Sequence, residues 1–355
     1  MNKLTLYMFK KYLFGFLLAA IVLLGVNLLL VFISELKNVG NHNYTLTTLY
    51  IYTVMLLPQN LLDIFPYALL IGSMISFGSM AYHSEFIAMN SHGIGIKKII
   101  TIIMIQTFIL AALLTVSLNY IAPKYSNEAQ TIKNISLNKS VSNKGLWFKS
   151  NDFIVHVEKI ITDKRLGNIS IYNLHDGLLA TIMNAETGVY ENTWKFNNIE
   201  IRDLETNQLT KKNYYALTAK EFIPFEILKS QYNKKRYISI EDLYTNIIFH
   251  NQLGIPYENH KIVFWKKILL PFASCIIVFI GLPFLFVKMR STNQSQRLIF
   301  GILFGITYFV ISSILTNTAL ILGIPALMSV IMSMIIFVIF GVYLFNKLVR
   351  KHISI

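Results

Sequence analysis

The residues best suited to binding or chemistry form a short polar segment, near residues 83–96, between two apolar runs. Ser84 is suited to cap the start of a helix, and Glu85 in its first turn is favoured by the helix dipole. Gly93 is suited to end the helix, because glycine readily adopts the left-handed conformation found there. The segment therefore predicts a short helix that lies along a membrane surface.

This helix offers two interpretations. Phe86, Met89 and Asn90 are spaced i, i+3 and i+4, so they form one semi-apolar face that could dock into a groove of another protein. Glu85 would then pair with a basic residue of that protein. In the alternative, Glu85 is only the carboxylate that begins the helix, and the residues alone leave both interpretations open.

Motifs of common catalytic sites are absent from the sequence. No glycine is followed by lysine, so the phosphate loop G-x-x-x-x-G-K-[ST] is missing, and we do not expect this chain to hydrolyse ATP by that route. There is no G-x-S-x-G elbow and no H-E-x-x-H pair. His83 and His92 match no metal-ligand spacing with Glu85, so a metal site is not expected there.

Lysines gather where apolar runs end, and these positions could hold the phosphates of an anionic lipid or be ordinary membrane anchors. They are Lys37, Lys133, Lys261, Lys266 and Lys267. Asp63 lies at the boundary of another apolar run, where we expect a solvated carboxylate rather than a proton relay.

Composition places the chain in the membrane class, with a mean hydropathy of +0.52 and only 14% charged residues. All but three of the 18 acidic residues lie between Ile121 and His260, which marks a water-facing domain. The net charge of +14 could suggest nucleic-acid binding. Basic residues that flank apolar runs are better explained as signals of membrane topology.

Six transmembrane helices are predicted from uncharged runs of about 20 residues. They are Tyr12–Ile33, Ile64–Tyr82, Ile99–Ile121, Ile268–Val287 and two within Leu298–Asn346, which are separated by a turn at Gly323-Ile324-Pro325. We expect Leu46–Leu62, broken by Pro58, to be an interfacial helix. Six spans place eleven Lys and Arg of the short loops and tails on one side and only Lys37 on the other. The positive-inside rule then predicts that both termini are cytoplasmic.

The middle of the chain, residues 123–259, is predicted to be an extracytoplasmic β domain between helical segments 1–122 and 260–355. Phe153–Val157, Asn168–Tyr172 and Trp194–Ile201 alternate apolar and polar residues, with turn-forming clusters between them. This pattern predicts an antiparallel sandwich or jelly roll. The expected fold is a polytopic α-helical membrane protein with an inserted all-β, jelly-roll-like domain.

Several motifs, in this order of three helices, a β domain and three helices, resemble one known family. They are S-E-x-x-x-M-x-x-x-G from Ser84, Phe65-Pro66, Ala122-Pro123, Gly145-Leu146-Trp147, Gly167–Tyr172, Trp265-Lys266-Lys267 with Pro271, and Gly323-Ile324-Pro325. The chain resembles the YjgP/YjgQ permeases of lipopolysaccharide export, the LptF/LptG family, nearly end to end. Its motifs look more like the LptG type than the LptF type.

The resemblance implies a non-catalytic permease subunit, without a cofactor, in the inner membrane of a Gram-negative bacterium. Its partners would be an LptF-type permease, two copies of a cytoplasmic LptB-type ATPase and an LptC-type single-span jelly-roll protein. The complex would extract lipopolysaccharide from the inner membrane and pass it to a periplasmic bridge.

The resemblance also implies roles for individual residues. The surface helix would be the coupling helix that transmits ATPase motion, through Ser84, Glu85, Met89, His92 and Gly93. Lipid phosphates would be bound by Lys37, Lys133 and Lys267, although Val31 and Asn38 stand where LptG-type chains can carry further lysines. The wall of the lipid cavity would include Phe65, Tyr67, Phe300 and Phe304.

Three other functions compete with lipid export. A mechanotransmitting protein that acts on periplasmic partners without moving lipid usually places its large domain after the first span. A lipid-modifying membrane enzyme would need several acids or histidines at one membrane depth, and only Asp63 is available. An ion-coupled transporter would need ionisable groups at the midplane, and none are visible.

Overall fold

The computed structural model describes residues 3–138, 146–149, 153–162, 165–175, 178–191, 193–204, 208–217, 237–252, 258–286 and 294–347. The helices are α1 (Lys3–Leu36), α2 (Leu46–Met55), α3 (Leu57–Tyr82), α4 (Glu85–Ser91), α5 (Ile96–Ser136), α6 (Ile240–Gln252), α7 (Glu258–Ile268), α8 (Leu270–Phe286), α9 (Gln294–Ile321) and α10 (Ala326–Phe345). The strands are β1 (Leu146–Lys149), β2 (Phe153–Thr162), β3 (Arg165–His175), β4 (Leu178–Glu191), β5 (Thr193–Asp203) and β6 (Leu209–Leu217).

Within the described ranges, five helices are individually long and apolar enough to cross a membrane, namely α1, α3, α5, α9 and α10. The pair α7 and α8 makes a sixth span if its two bent halves are counted together. The prediction of a polytopic helical membrane protein is therefore confirmed.

Three prolines decide where these helices start, bend or continue. Pro58 lies in the first turn of α3, where a missing N–H is harmless, so residues 57–62 belong to the long α3 and not to the predicted interfacial helix. The third span was predicted to end at Ile121 and the β domain to begin at residue 123, but α5 continues through Pro123 to Ser136. Helices α7 and α8 meet at a bend of 62°, next to Pro271. The bend forms there because proline has no N–H to donate to the carbonyl of Lys267.

The chain divides into two compact units. The helical unit comprises Met1–Ile33, Leu56–Lys124 and Glu258–Ile355, and the second unit comprises Ser34–Met55 and Tyr125–Tyr257. The boundary between the two units falls within α1, after Ile33, and within α5, after Lys124.

Aromatic and hydroxyl groups join three helices in the core of the helical unit. Tyr12 on α1 is fully buried, and its ring centroid lies 5.1 Å from that of Phe77 on α3. The Tyr12 hydroxyl lies 3.1 Å from Oγ1 of Thr107 on α5 and 3.3 Å from the carbonyl oxygen of Leu69 on α3. Such interhelical hydrogen bonds supplement the close packing that holds helices together in lipid.

Small residues let α1 and α3 approach until their backbones touch. A Cβ atom added to Gly72 would lie 2.6 Å from the Cα atom of Phe16 and 2.9 Å from the carbonyl carbon of Gly15. Next to this crossing, the Ser76 hydroxyl donates to the backbone carbonyl of Lys11 at 2.7 Å. This arrangement is the small-residue contact that is common between membrane helices.

The sheet is a six-stranded antiparallel meander with its strands in chain order, β1 to β6. The predicted strands at Phe153–Val157, Asn168–Tyr172 and Trp194–Ile201 fall within β2, β3 and β5. Among the described strands every neighbour in the sheet is also a neighbour in the chain. The described strands therefore contain none of the crossover connections that a jelly roll has.

The two faces of the sheet differ in polarity, because successive side chains of a strand point to opposite faces. Val157, Ile169, Ala185 and Ile199 stand opposite one another across four strands, and all four are buried. On the other face, one such row is polar: His156, Ser170, Asn184, Glu200 and Lys211. The apolar row belongs to a core cluster that also contains Trp194 and Phe196, which are completely buried.

Candidate functional site

A cavity of about 470 Å³ lies in the helical unit between α1, α3 and α9. Its lining residues are Leu23, Val26, Asn27, Leu30, Asp63, Ile64, Tyr67, Leu70, Ile71, Gly301, Ile302, Gly305, Ile306 and Phe309. Most of these side chains are aliphatic or aromatic, so most of the cavity wall suits hydrocarbon.

Glycines on α9 set the width of this cavity. A Cβ atom at Gly305 would meet Leu70 Cδ2 at 3.4 Å and Tyr67 Cδ1 at 3.5 Å, so the glycine leaves room that a longer side chain would fill. At Gly301 a Cβ atom would lie 2.9 Å from the side chain of Met74. The apolar wall and its glycines allow α9 to pass close to α3.

One corner of the cavity is polar. Asp63 is half-buried there and accepts a hydrogen bond from Nε2 of Gln59 at 3.1 Å. It also interacts electrostatically with Lys267, whose side chain is only 8% exposed. The Oδ1 atom of Asn27 is buried without a hydrogen-bond partner among the described residues. The expectation of a solvated Asp63 is thus replaced by a half-buried carboxylate in a cavity wall.

The four residues predicted for a cavity wall have different positions. Tyr67 lines the cavity, and its ring centroid lies 6.2 Å from that of Phe309 on α9. Phe65 is not a lining residue and is fully buried in the helical core. Phe304 is half-buried and packs on Phe284, with ring centroids 4.8 Å apart. The side chain of Phe300 lies outside the described part of the structure.

The predicted surface helix exists as α4, but its start differs from the expectation. Ser84 is left-handed, with φ at +60°, and makes no side-chain cap hydrogen bond, so its predicted capping role is corrected. The backbone carbonyl of Ser84 instead accepts from the N–H groups of Ile87 and Ala88. At the other end, Gly93 is left-handed with φ at +82°, as the sequence predicted for a helix end.

Of the three residues predicted for the docking face, Phe86 and Met89 point inward and Asn90 is exposed. Phe86 is 1% exposed and Met89 is 9% exposed, and both belong to the core cluster of the helical unit. The ring centroid of Phe86 lies 5.4 Å from that of Phe286 on α8. The exposed face of α4 instead carries Ile87 and Asn90, with His92 just beyond the helix. The helical spacing therefore grouped Phe86 and Met89 on one face correctly, but this face packs on the core of the chain and not on another protein.

Glu85 already has partners on α1. Its Oε1 atom lies 2.6 Å from Nζ of Lys11, and its Oε2 atom accepts from the Tyr7 hydroxyl at 3.0 Å. The Lys11 ammonium also lies 4.7 Å from the centre of the Tyr7 ring. The Glu85 side chain is 24% exposed, so part of the carboxylate still faces solvent.

The three lysines predicted to bind phosphate have unlike surroundings. Lys37 is exposed just after α1, with no ion pair among the described residues. Lys133 on α5 forms an ion pair with Glu35, and its ammonium lies 4.9 Å from the centre of the Tyr52 ring. Lys267 is buried and interacts with Asp63. Of the three, Lys37 has the ammonium most accessible to an added phosphate.

A multi-pass helical protein with an inserted antiparallel domain and an apolar cavity between its spans has the architecture of a membrane permease. Residues 6–347 match the model of the family described as lipopolysaccharide export system permease LptF/LptG, and the chain belongs to this family.

Two relatives are similar along nearly their whole length. The lipopolysaccharide export system permease protein LptG of Haemophilus influenzae is 24% identical over 354 residues, which cover 98% of this chain and 99% of that protein. The protein of the same name from Escherichia coli is 24% identical over 335 residues, or 92% of this chain and 93% of that protein. These names confirm the predicted resemblance to the LptG type.

Proposed function

We propose that this chain is a permease subunit of an ABC transporter that extracts lipopolysaccharide from the inner membrane and hands it to a periplasmic bridge. The observation that carries the proposal is the cavity between α1, α3 and α9, because its wall is apolar and one corner is polar. An amphipathic lipid has acyl chains for such a wall and a charged headgroup that must stay outside it.

The energy source is a separate protein. The sequence has no phosphate loop, so ATP hydrolysis is assigned to two copies of an LptB-type ATPase in the cytoplasm. An LptF-type permease forms the second half of the transporter, and an LptC-type protein with one span receives the lipid. The chain itself is a non-catalytic subunit.

The positive-inside rule orients this assembly. The loop that carries α4 and both termini face the cytoplasm, so Glu85 is accessible to the ATPase. The β domain then lies in the periplasm, on the side from which lipopolysaccharide leaves.

Phosphate groups of the lipid are assigned chiefly to Lys37, which is exposed beside the end of α1. Lys133 and Lys267 remain proposed contacts, but a phosphate would have to share them with Glu35 and Asp63 respectively. A carboxylate that already neutralises an ammonium weakens its attraction for a second anion.

The proposal is tested by co-purification of the tagged chain from its host in mild detergent. The wild type is expected to bring down a second permease and an ATPase. Glu85→Arg should retain the permease but reduce the ATPase by roughly tenfold or more, because an interface would lose a charge pair. Glu85→Gln removes the charge without repelling Lys11, and Glu241→Arg is a control at an exposed acid on α6.

The outcomes separate the competing functions. A wild type that purifies without any ATPase would contradict the transporter. An intact complex that consumes ATP but releases no lipid would favour a mechanotransmitting protein that acts on periplasmic partners.

A further inference from the structure

The cytoplasmic end of α1 holds Glu85 through both of its carboxylate oxygens. Lys11 contacts one oxygen at 2.6 Å and Tyr7 donates to the other at 3.0 Å. A carboxylate has about four acceptor positions, so these two contacts leave room for a further donor. Because Glu85 is still 24% exposed, it can accept a donor from another protein while it keeps Lys11.

Lys11 is anchored on both sides of its Cα atom. Its side chain reaches Glu85 on α4, and its backbone carbonyl accepts the Ser76 hydroxyl of α3 at 2.7 Å. Lys11 therefore joins α1 to α4 through its side chain and to α3 through its backbone, so a displacement of Glu85 reaches α1 at a residue that contacts both helices.

The far half of the same helix forms a wall of the cavity. Leu23, Val26, Asn27 and Leu30 follow Lys11 without a break in α1, at about 18 to 28 Å along the axis. In the most apolar stretch of α1 only 17% of the residues are buried within the chain, whereas in that of α3 the share is 67%. The buried residues of α1 all lie between Met8 and Ala20, so the far half of α1 is the part of this wall that few internal contacts hold in place.

We propose that the contacts of Lys11 and Tyr7 with Glu85 form the mechanical link through which movement of α4 shifts α1 and changes the lipid cavity. The link rests on the proposed function, since it assigns a path between the ATPase contact and the transported lipid. Lys11 and Tyr7 are positioning residues, because they contact Glu85 and not the lipid.

The first test measures the ion pair in the purified chain alone. Melting temperatures are compared for the wild type, Lys11→Met, Glu85→Gln and the double variant. A real pair gives non-additive shifts, so that the second substitution has little further effect once the first is present. Additive shifts would overturn the link whatever the chain transports.

The second test measures ATP hydrolysis and lipopolysaccharide release by the complete complex in vesicles. With Lys11→Met we expect the bound ATPase and its turnover to be retained, while lipid release falls about fivefold or more. Lys11→Arg should restore release, because arginine can form the same ion pair. Lys10→Met is the control at a neighbouring exposed lysine and should leave release unchanged.

Two results would contradict the link. Unchanged release with Lys11→Met would show that movement reaches the cavity by another path. Loss of bound ATPase in that variant would show that Lys11 serves docking instead. If the wild-type complex released no lipid, the proposed transport function would fail, and the melting temperatures would still decide whether the ion pair exists.

Discussion

Gly72→Ala is expected to separate α1 from α3 and lower the stability of the helical unit. The added methyl carbon would lie 2.6 Å from Phe16 Cα and 2.7 Å from Phe16 N. These are backbone atoms of a helix, so no side-chain rotation can relieve the overlap. Carbon atoms rest about 3.5–4.0 Å apart, and the two helices must therefore move apart locally by about 1 Å.

The magnitude follows from the packing that this movement disrupts. Overpacking a tight contact typically costs about 1–3 kcal/mol. The separation also strains the hydrogen bond from Ser76 to the Lys11 carbonyl, which is 2.7 Å long in the wild type. With a shift of about 2–4 °C for each kcal/mol in domains of intermediate size, we expect the melting temperature to fall by roughly 2–12 °C.

The assay is thermal unfolding of the detergent-purified chain, followed by circular dichroism or tryptophan fluorescence. Gly25→Ala is the matched control on α1, because a Cβ atom there would have no neighbour within 4 Å. It should melt at the wild-type temperature or slightly higher, since alanine favours helix more than glycine does. Equal melting of Gly72→Ala and Gly25→Ala would refute the backbone contact between α1 and α3.

Further predictions concern the cavity, the sheet and the ion pair between Glu35 and Lys133. Gly305→Leu should keep the fold but fill part of the cavity, so lipopolysaccharide release by the complex should fall while ATP hydrolysis continues; unchanged release would contradict the assigned cavity. Trp194→Ala should destabilise the sheet by about 3–5 kcal/mol in near-ultraviolet melts, whereas Trp147→Ala, at a side chain 60% exposed, should change it by less than about 1 kcal/mol. Glu35→Gln and Lys133→Met should each lower the free energy of unfolding by about 1–3 kcal/mol, with partial recovery in the double variant; additive losses would show that the two charges do not interact.

The membrane spans and the strands were predictable because they depend on local patterns. Uncharged runs such as Ile99–Ile121 are long enough to cross a bilayer, and the alternation in Phe153–Val157 has the period of a strand. The residues at which the helices end were less predictable. Helix α5 continues beyond the predicted end at Ile121 and through Pro123, because neighbouring groups in a helical bundle can compensate for the missing N–H of a proline.

The site could be predicted only in part, since its contacts join distant positions. Glu85 was considered as an ion-pair partner of another protein, but its partner Lys11 lies 74 positions earlier in the same chain, and helix packing alone brings the two together. The spacing of Phe86 and Met89 correctly defined one face of α4, yet periodicity does not say which neighbour covers that face. The pairing of Lys133 with Glu35 likewise depends on how the ends of α1 and α5 meet.

The polar corner of the cavity left a weak sequence signal. Asp63 was visible as a lone acid near an apolar run, but its place beside Tyr67 and its interaction with Lys267 depend on the bend at Pro271 and on the packing of α3. Asn27 carried no signal, because one amide within a long apolar helix is common. Its unpartnered Oδ1 atom becomes informative only when the cavity is known.

The most direct test of the account is ATP-dependent release of lipopolysaccharide from vesicles that contain this chain with its second permease, the ATPase and the single-span acceptor. We predict that release requires ATP hydrolysis and stops when this chain is omitted. Steady ATP hydrolysis without lipopolysaccharide release, or equal release without this chain, would contradict the assignment of this chain as a lipid-exporting permease.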